Sequence, residues 1–130
     1  MKNIANVIKL SRYFDIIGNV VLILKLSEHM DTQDILAALA ALAQEHRLRA
    51  FRLLVQVGPE GLAASKIGER LDMAPSSLSF HLKELAQAGL IAARQDGRFV
   101  IYSANFETMN GVLAFLTDNC CGGASCASPA

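Results

Sequence analysis

The chain has 130 residues, 52% of them apolar, with twelve basic side chains against twelve acidic ones. That is enough apolar material for one packed domain, and the zero formal net charge excludes a globally basic nucleic-acid binder. Any DNA surface must then be a local patch or the property of a dimer. Tryptophan is absent, which argues against a stacking platform for single strands. Cys120, Cys121 and Cys126 all fall within the last eleven residues, which points to a cytosolic thiol or metal site, not to the spread disulfide framework of a secreted scaffold.

Residues 1–29 differ in character from the remainder of the chain. Their apolar run, Ile16 to Leu24, is interrupted by Gly18 and Asn19 and bracketed by Asp15 and Lys25. It falls short of the roughly 20 apolar residues of a membrane span, and no small-x-small cleavage site precedes Met30. No membrane partner and a cytoplasmic location are therefore expected. Two readings fit this extension: an extra dimer-contacting helix or strand, or translated upstream sequence with Met30 as the true start. Residues 30–118 are expected to form the folded domain and residues 119–130 a cysteine-containing tail.

From Met30 the pattern is regular. Asp31, Thr32 and Asp34 place acceptors and negative charge at a helix N-terminus. Ile35, Leu36, Leu39, Leu42 and Ala43 then recur at helical spacing in an alanine-rich helix suited to close packing in a core or a dimer. His46-Arg47 opens a second helix, with Leu48, Phe51, Leu54 and Val55 predicted inward and Arg47, Arg49 and Arg52 outward. Val57-Gly58-Pro59 ends it, and His46 is read as a polar residue at the helix junction.

A short helix over Ala64–Leu71 buries Ile67 and Leu71, and Asp72-Met73-Ala74 connects it to the stretch from Pro75 to Ile91. There Leu78, Leu82 and Leu85 share one helical face, Pro75 suits the first turn, and Gly89 suits a left-handed stop. The other side carries Ser76, Ser77, Ser79, His81 and Lys83. Alone this fits an ordinary amphipathic helix, but a short, hydroxyl-rich, non-acidic face also suits close approach to a polyanion. Two short helices joined by such a turn form a helix-turn-helix signature.

The next segment strengthens it. Leu90–Gln95, a turn at Asp96-Gly97 and Arg98–Ala104 read as a two-stranded hairpin, with Arg94 and Arg98 flanking the turn as a basic tip. Helix-turn-helix plus a basic-tipped hairpin predicts a winged helix, with the second helix of the motif in the major groove and the wing arginines on phosphate or minor groove. A last helix over Phe106–Thr117 presents Met109, Val112, Leu113 and Leu116, with Phe115 close by. The expected fold class is mainly α with a small β-hairpin: a winged helix-turn-helix, homodimeric through its first and last helices. The residues expected to meet double-stranded operator DNA are Ser76, Ser77, Ser79, Phe80, His81, Lys83, Arg94 and Arg98.

The runs LAALAQEHRLRAFRLL and SSLSFHLKELAQAGLI and the wing pattern R-x-D-G-R-x-V-x-Y resemble the ArsR/SmtB winged-helix repressors that sense toxic metals and metalloids. The resemblance covers roughly Asp34 to Cys126. It implies a homodimer that sits on operator DNA and leaves when an inducer binds. The chain departs from the family pattern in three places. Ala63-Ala64-Ser65 stands where the best-known arsenic sensors have Cys-Val-Cys. No histidine follows His81, so the last-helix site of the zinc, cobalt and nickel sensors is missing. Phe80 replaces a frequent basic residue, and contact with a thymine methyl or inward packing both fit it.

Cys120, Cys121 and Cys126 are the only soft-ligand set. Arsenite takes three thiolates in a pyramid, whereas zinc usually takes four ligands in a tetrahedron. Gly122 and Gly123 allow the chain to double back so that Cys126 meets the vicinal pair. This also resembles a subset of arsenic-responsive repressors with C-terminal cysteines. The expected inducer is As(III), with Sb(III) or methylarsenite as chemical relatives. Other readings are a loose tail with incidental thiols, a redox switch pairing Cys126 with one of the vicinal cysteines, and a zinc or cadmium sensor. A thiol enzyme such as an arsenate reductase fits less well, because these cysteines follow a helix C-terminus, where the dipole disfavours a thiolate. Other enzyme motifs are absent: there is no Gly-x-Ser-x-Gly and no phosphate loop.

Overall fold

The first helix begins where the sequence places its acceptors. In the computed structural model, which describes residues 30–124, helix α1 (Thr32–Leu42) is capped by Asp31, whose carboxylate accepts the Asp34 N–H at 2.9 Å. Both readings of residues 1–29, and the placement of Cys126, lie outside the described residues. Helix α2 (Glu45–Val57) is capped by the Gln44 side chain, which accepts the Arg47 N–H at 2.9 Å. Arg47 Nε donates to the Ala41 carbonyl at 2.6 Å and so closes the α1–α2 corner. This arginine is therefore half-buried, whereas Arg49 and Arg52 are exposed as predicted.

There follow β1 (Leu62–Ala63), α3 (Ala64–Leu71), α4 (Pro75–Gln87), β2 (Ile91–Asp96), β3 (Phe99–Ala104), α5 (Phe106–Thr117) and a short turn at Cys120–Gly123. The bounds of α3 and α5 coincide with the sequence expectation.

The wing differs from that expectation in two ways. It is not a two-stranded hairpin but a three-stranded antiparallel sheet of order β1-β3-β2, with Leu62 opposite Tyr102 and Ala63 opposite Ile101. The third strand depends on Gly61, where a Cβ would run into the Tyr102 carbonyl and φ is +71°. Only glycine tolerates both conditions. The turn is also shifted by one residue. Asp96 pairs with Phe99, so the two-residue loop is Gly97-Arg98, with Gly97 at φ +60°. A glycine of positive φ in the first loop position is the usual solution for such a hairpin.

The core is assembled from every helix: Ile35, Ala38 and Ala41 of α1, Ala50, Phe51 and Leu54 of α2, Ile67 and Leu71 of α3, and Leu78, Leu82 and Leu85 of α4. Leu90, Ile91, Ala104 and Val112 complete it. One inward assignment is corrected: Leu48 is 42% exposed. Leu36, on a helix expected to serve a core or a dimer, is 53% exposed. In α1 the small Ala38 and Ala41 face the core instead, and in α2 Ala50 does so beside Phe51. Small side chains let these helix backbones approach, and the larger leucines are turned out. Helix α5 rests against α1, and Leu113 and Leu116 remain exposed along it.

Candidate nucleic-acid interface and thiol tail

Helix α4 is fixed at both ends. Asp72 leaves α3 in the left-handed region at φ +51°, and Pro75 occupies the first turn of α4. At the other end Gly89, at φ +75°, donates to the Ala86 carbonyl while the Leu90 N–H reaches the Leu85 carbonyl, each at 3.0 Å. This paired arrangement is a Schellman stop, as the position of Gly89 predicts. Leu78, Leu82 and Leu85 hold the helix down on the core. The opposite stripe, at i, i+4 and i+7, is Ser76, Phe80 and Lys83, all exposed, with exposed Ser77 and Ser79 on its flanks. Phe80 thus points outward at 57% exposure.

His81 does not share that outward face. It is half-buried, and its ring stacks on that of His46 at the start of α2, with centroids 5.4 Å apart and planes 7° from parallel. Its Nδ1 is buried with no hydrogen-bond partner among the described residues. Gln44 Nε2 lies 3.2 Å from His46 Nδ1, which ties the stack to the α1–α2 corner. Burial first, then the nearby His46 and Arg47, push the His81 pKa below its ordinary 6.5, against an opposing pull from Glu84. Folded protein therefore prefers neutral His81, while the unfolded chain takes up a proton below 6.5. The linked stability is present above that pH and declines as pH falls toward the depressed folded value. Urea midpoints measured from about pH 7.5 down to about pH 5 are expected to fall, and His81→Gln is expected to flatten that part of the dependence. An unchanged slope in the variant would show that His81 is not the group responsible.

On the wing, the two arginines have different settings. Arg94 stands opposite Ile101, the third pair from the turn. Its guanidinium donates to the Glu60 carbonyl at 2.6 Å, so Arg94 fastens the wing to the loop before β1 instead of marking the tip. Arg98 occupies the turn itself and is exposed, as is the neighbouring Phe99.

Beyond α5 the backbone reverses through residues of positive φ: Asn119 (+51°), Cys121 (+55°), Gly122 (+64°) and Gly123 (+89°). The Gly122 N–H bonds to the Asn119 carbonyl at 2.9 Å. Cys120 and Cys121 are exposed, with their sulfurs 3.8 Å apart. Cys120 is a free thiol. The described residues alone form no metal-binding group of three His, Cys, Asp or Glu; the third cysteine of the expected set, Cys126, lies outside them. No helix among the described residues is long and apolar enough to cross a membrane.

A helix pinned by its apolar edge, a three-residue turn before it and a sheet-anchored wing after it define a winged helix-turn-helix DNA-binding protein. Comparison with known proteins agrees. A helix-turn-helix domain family matches residues 42–94. YceK, an uncharacterized HTH-type transcriptional regulator of Bacillus subtilis, is 36% identical over 73 residues, which cover 56% of this chain and 72% of YceK. A Halobacterium salinarum protein carrying the name of an arsenical resistance operon repressor, ArsR, is 37% identical over 73 residues, 56% of this chain and 54% of that protein. Among solved structures, an ArsR-like transcriptional regulator from Rhodococcus sp. RHA1 is 26% identical with a TM-score of 0.58, over 65% of this chain and 76% of that one. Reduced HlyU from Vibrio cholerae is 25% identical with a TM-score of 0.53, over 67% of this chain and 90% of that one. The chain belongs to the ArsR/SmtB family of winged-helix transcriptional regulators.

Proposed function

We propose that the protein is a homodimeric repressor that holds operator DNA through α4 and the wing and releases it when As(III) is bound by Cys120, Cys121 and Cys126. Sb(III) can likewise take three thiolates, whereas methylarsenite, with one bond held by its methyl carbon, can take two. The observation that carries this reading is the vicinal pair, Cys120 and Cys121, exposed and 3.8 Å apart immediately after α5. In the reduced chain, sulfurs on adjacent residues can reach one thiophilic ion, and the backbone turns through positive φ at the glycines after them. The Halobacterium relative named for arsenical resistance adds support. Dimerisation through α1 and α5 is supported by the exposed Leu36, Leu113 and Leu116 on two helices that touch each other. The proposed DNA-contacting set is Ser76, Ser77, Ser79, Phe80, Lys83 and Arg98, with Arg94 bracing the wing and His81 backing the helix. Inducer and DNA oppose one another by linkage: whichever factor arsenite takes from operator affinity, operator takes from arsenite affinity.

A second reading, a thiol-redox regulator, is favoured by the exposed, adjacent Cys120 and Cys121 and by the likeness to a protein solved in its reduced form. Capture of arsenite by three thiolates requires the reduced chain, so the two readings separate cleanly. Titrating the reduced protein–operator complex with arsenite, and separately with a thiol oxidant, decides between them. Release by arsenite supports the metalloid reading. Release by oxidant alone overturns it in favour of the redox one.

The wing's share of binding is measured through salt. Arg98→Ala is expected to weaken binding to all sequences alike and to lower the slope of log affinity against log salt by about one unit. An unchanged slope would remove Arg98 from the phosphate contacts.

A further inference from the structure

We propose that Phe80 is a base-reading residue that identifies thymine in the major groove through its C5-methyl group. The inference rests on the proposed operator-binding role of α4 and names what one position of that helix recognises. Phe80 is 57% exposed on the stripe that also carries Ser76 and Lys83. Its neighbours Ser76, Ser77 and Ser79 are short, so the helix backbone can come close to the base edges while the phenyl ring projects beyond them. That ring neither donates nor accepts a hydrogen bond. The floor of the major groove presents polar edges at guanine, cytosine and adenine and a single apolar group, the thymine methyl. Over a polar edge the ring would displace water and replace none of its hydrogen bonds. Over thymine it buries apolar surface against apolar surface.

The ring is also held in place. Phe80 meets the His81 ring edge-on, with centroids 5.6 Å apart and planes at 66°, and His81 stacks in turn on His46 at 5.4 Å. Three rings thus run from the base of α2 to the exposed stripe of α4, and the reading side chain has a rigid backing that lowers the entropic cost of fixing it on a base. Phe99, equally exposed on the wing, has no ring contact among the described residues.

The test uses the full chain and duplexes selected by it from a randomised library. Each thymine of the selected site is replaced in turn by deoxyuridine, which removes the methyl group and nothing else. At one thymine or more per half-site, wild-type binding is expected to weaken about fourfold, the worth of one buried methyl group. Phe80→Ala should bind the thymine and uracil duplexes alike, and Phe80→Leu should keep part of the difference. Phe80→Ala should match wild type in thermal midpoint, which shows that the variant is folded. Equal binding of both duplexes by wild type at every position, or a methyl penalty that persists in Phe80→Ala, overturns the inference while leaving operator binding intact. Failure to select any sequence overturns the operator-binding role of α4 and this reading with it.

Discussion

Serine at Cys120, Cys121 and Cys126 together is expected to give a protein that binds its operator normally and is no longer released by arsenite. In the wild type, a coupling of ordinary size would change operator affinity by roughly 5- to 150-fold. In the triple variant that ratio should collapse to about one. Fluorescence anisotropy of labelled operator, titrated with arsenite under reducing conditions, measures both quantities. A triple variant that still dissociates with arsenite would place the sensor elsewhere in the chain. Each single serine substitution should also blunt release by arsenite, because each removes one of the three proposed thiolates.

Leu82→Ala carries the second large effect, on stability. Leu82 is 1% exposed at the centre of α4's buried edge, and α4 packs on α1, α2, α3 and β2. Truncating a buried leucine to alanine costs about 2–5 kcal/mol, a large share of the roughly 5–15 kcal/mol that holds a domain folded. The urea midpoint should fall accordingly, and DNA binding should be lost in step with folding. Phe80→Ala, two residues earlier on the exposed stripe, should shift stability by no more than about 0.5 kcal/mol. A Leu82→Ala cost below about 1 kcal/mol would contradict the packing of α4 on the core.

How much of the fold and of the site is legible in the sequence depends on how local the signal is. The bounds of α3 and α5, the stop at Gly89 and the pinned face of Leu78, Leu82 and Leu85 follow from spacing and turn chemistry, which act over a few residues. Leu36 and Leu48 fit the helical period but face outward, because periodicity defines a stripe and the neighbouring helices decide which edge of it they cover. His81 departs from its expected outward position for the same reason: it borders the buried edge of α4, and the base of α2, distant in sequence, passes over it. β1 leaves no sequence signal because two residues carry no periodicity and the pairing depends on Gly61 meeting Tyr102. Arg94 reads as a tip charge since its partner is a backbone carbonyl, that of Glu60, which no residue type announces. The thiol tail is the opposite case. Its composition alone marks it out, and Cys121, Gly122 and Gly123 all take positive φ, while the expected approach of Cys126 to the pair lies outside the described residues.

The anchoring of the wing bears on the thermodynamics of association. A free ribbon of two six-residue strands would be marginally stable, and DNA would have to order it at about 1–2 kcal/mol per residue of backbone conformational entropy. Here β1 and the Arg94–Glu60 hydrogen bond have already removed that freedom in the unbound protein. Contacts made by the wing therefore add to affinity without a coupled folding penalty. The heat-capacity change of binding should follow the apolar surface removed from water at the interface, with no further contribution from ordering the wing.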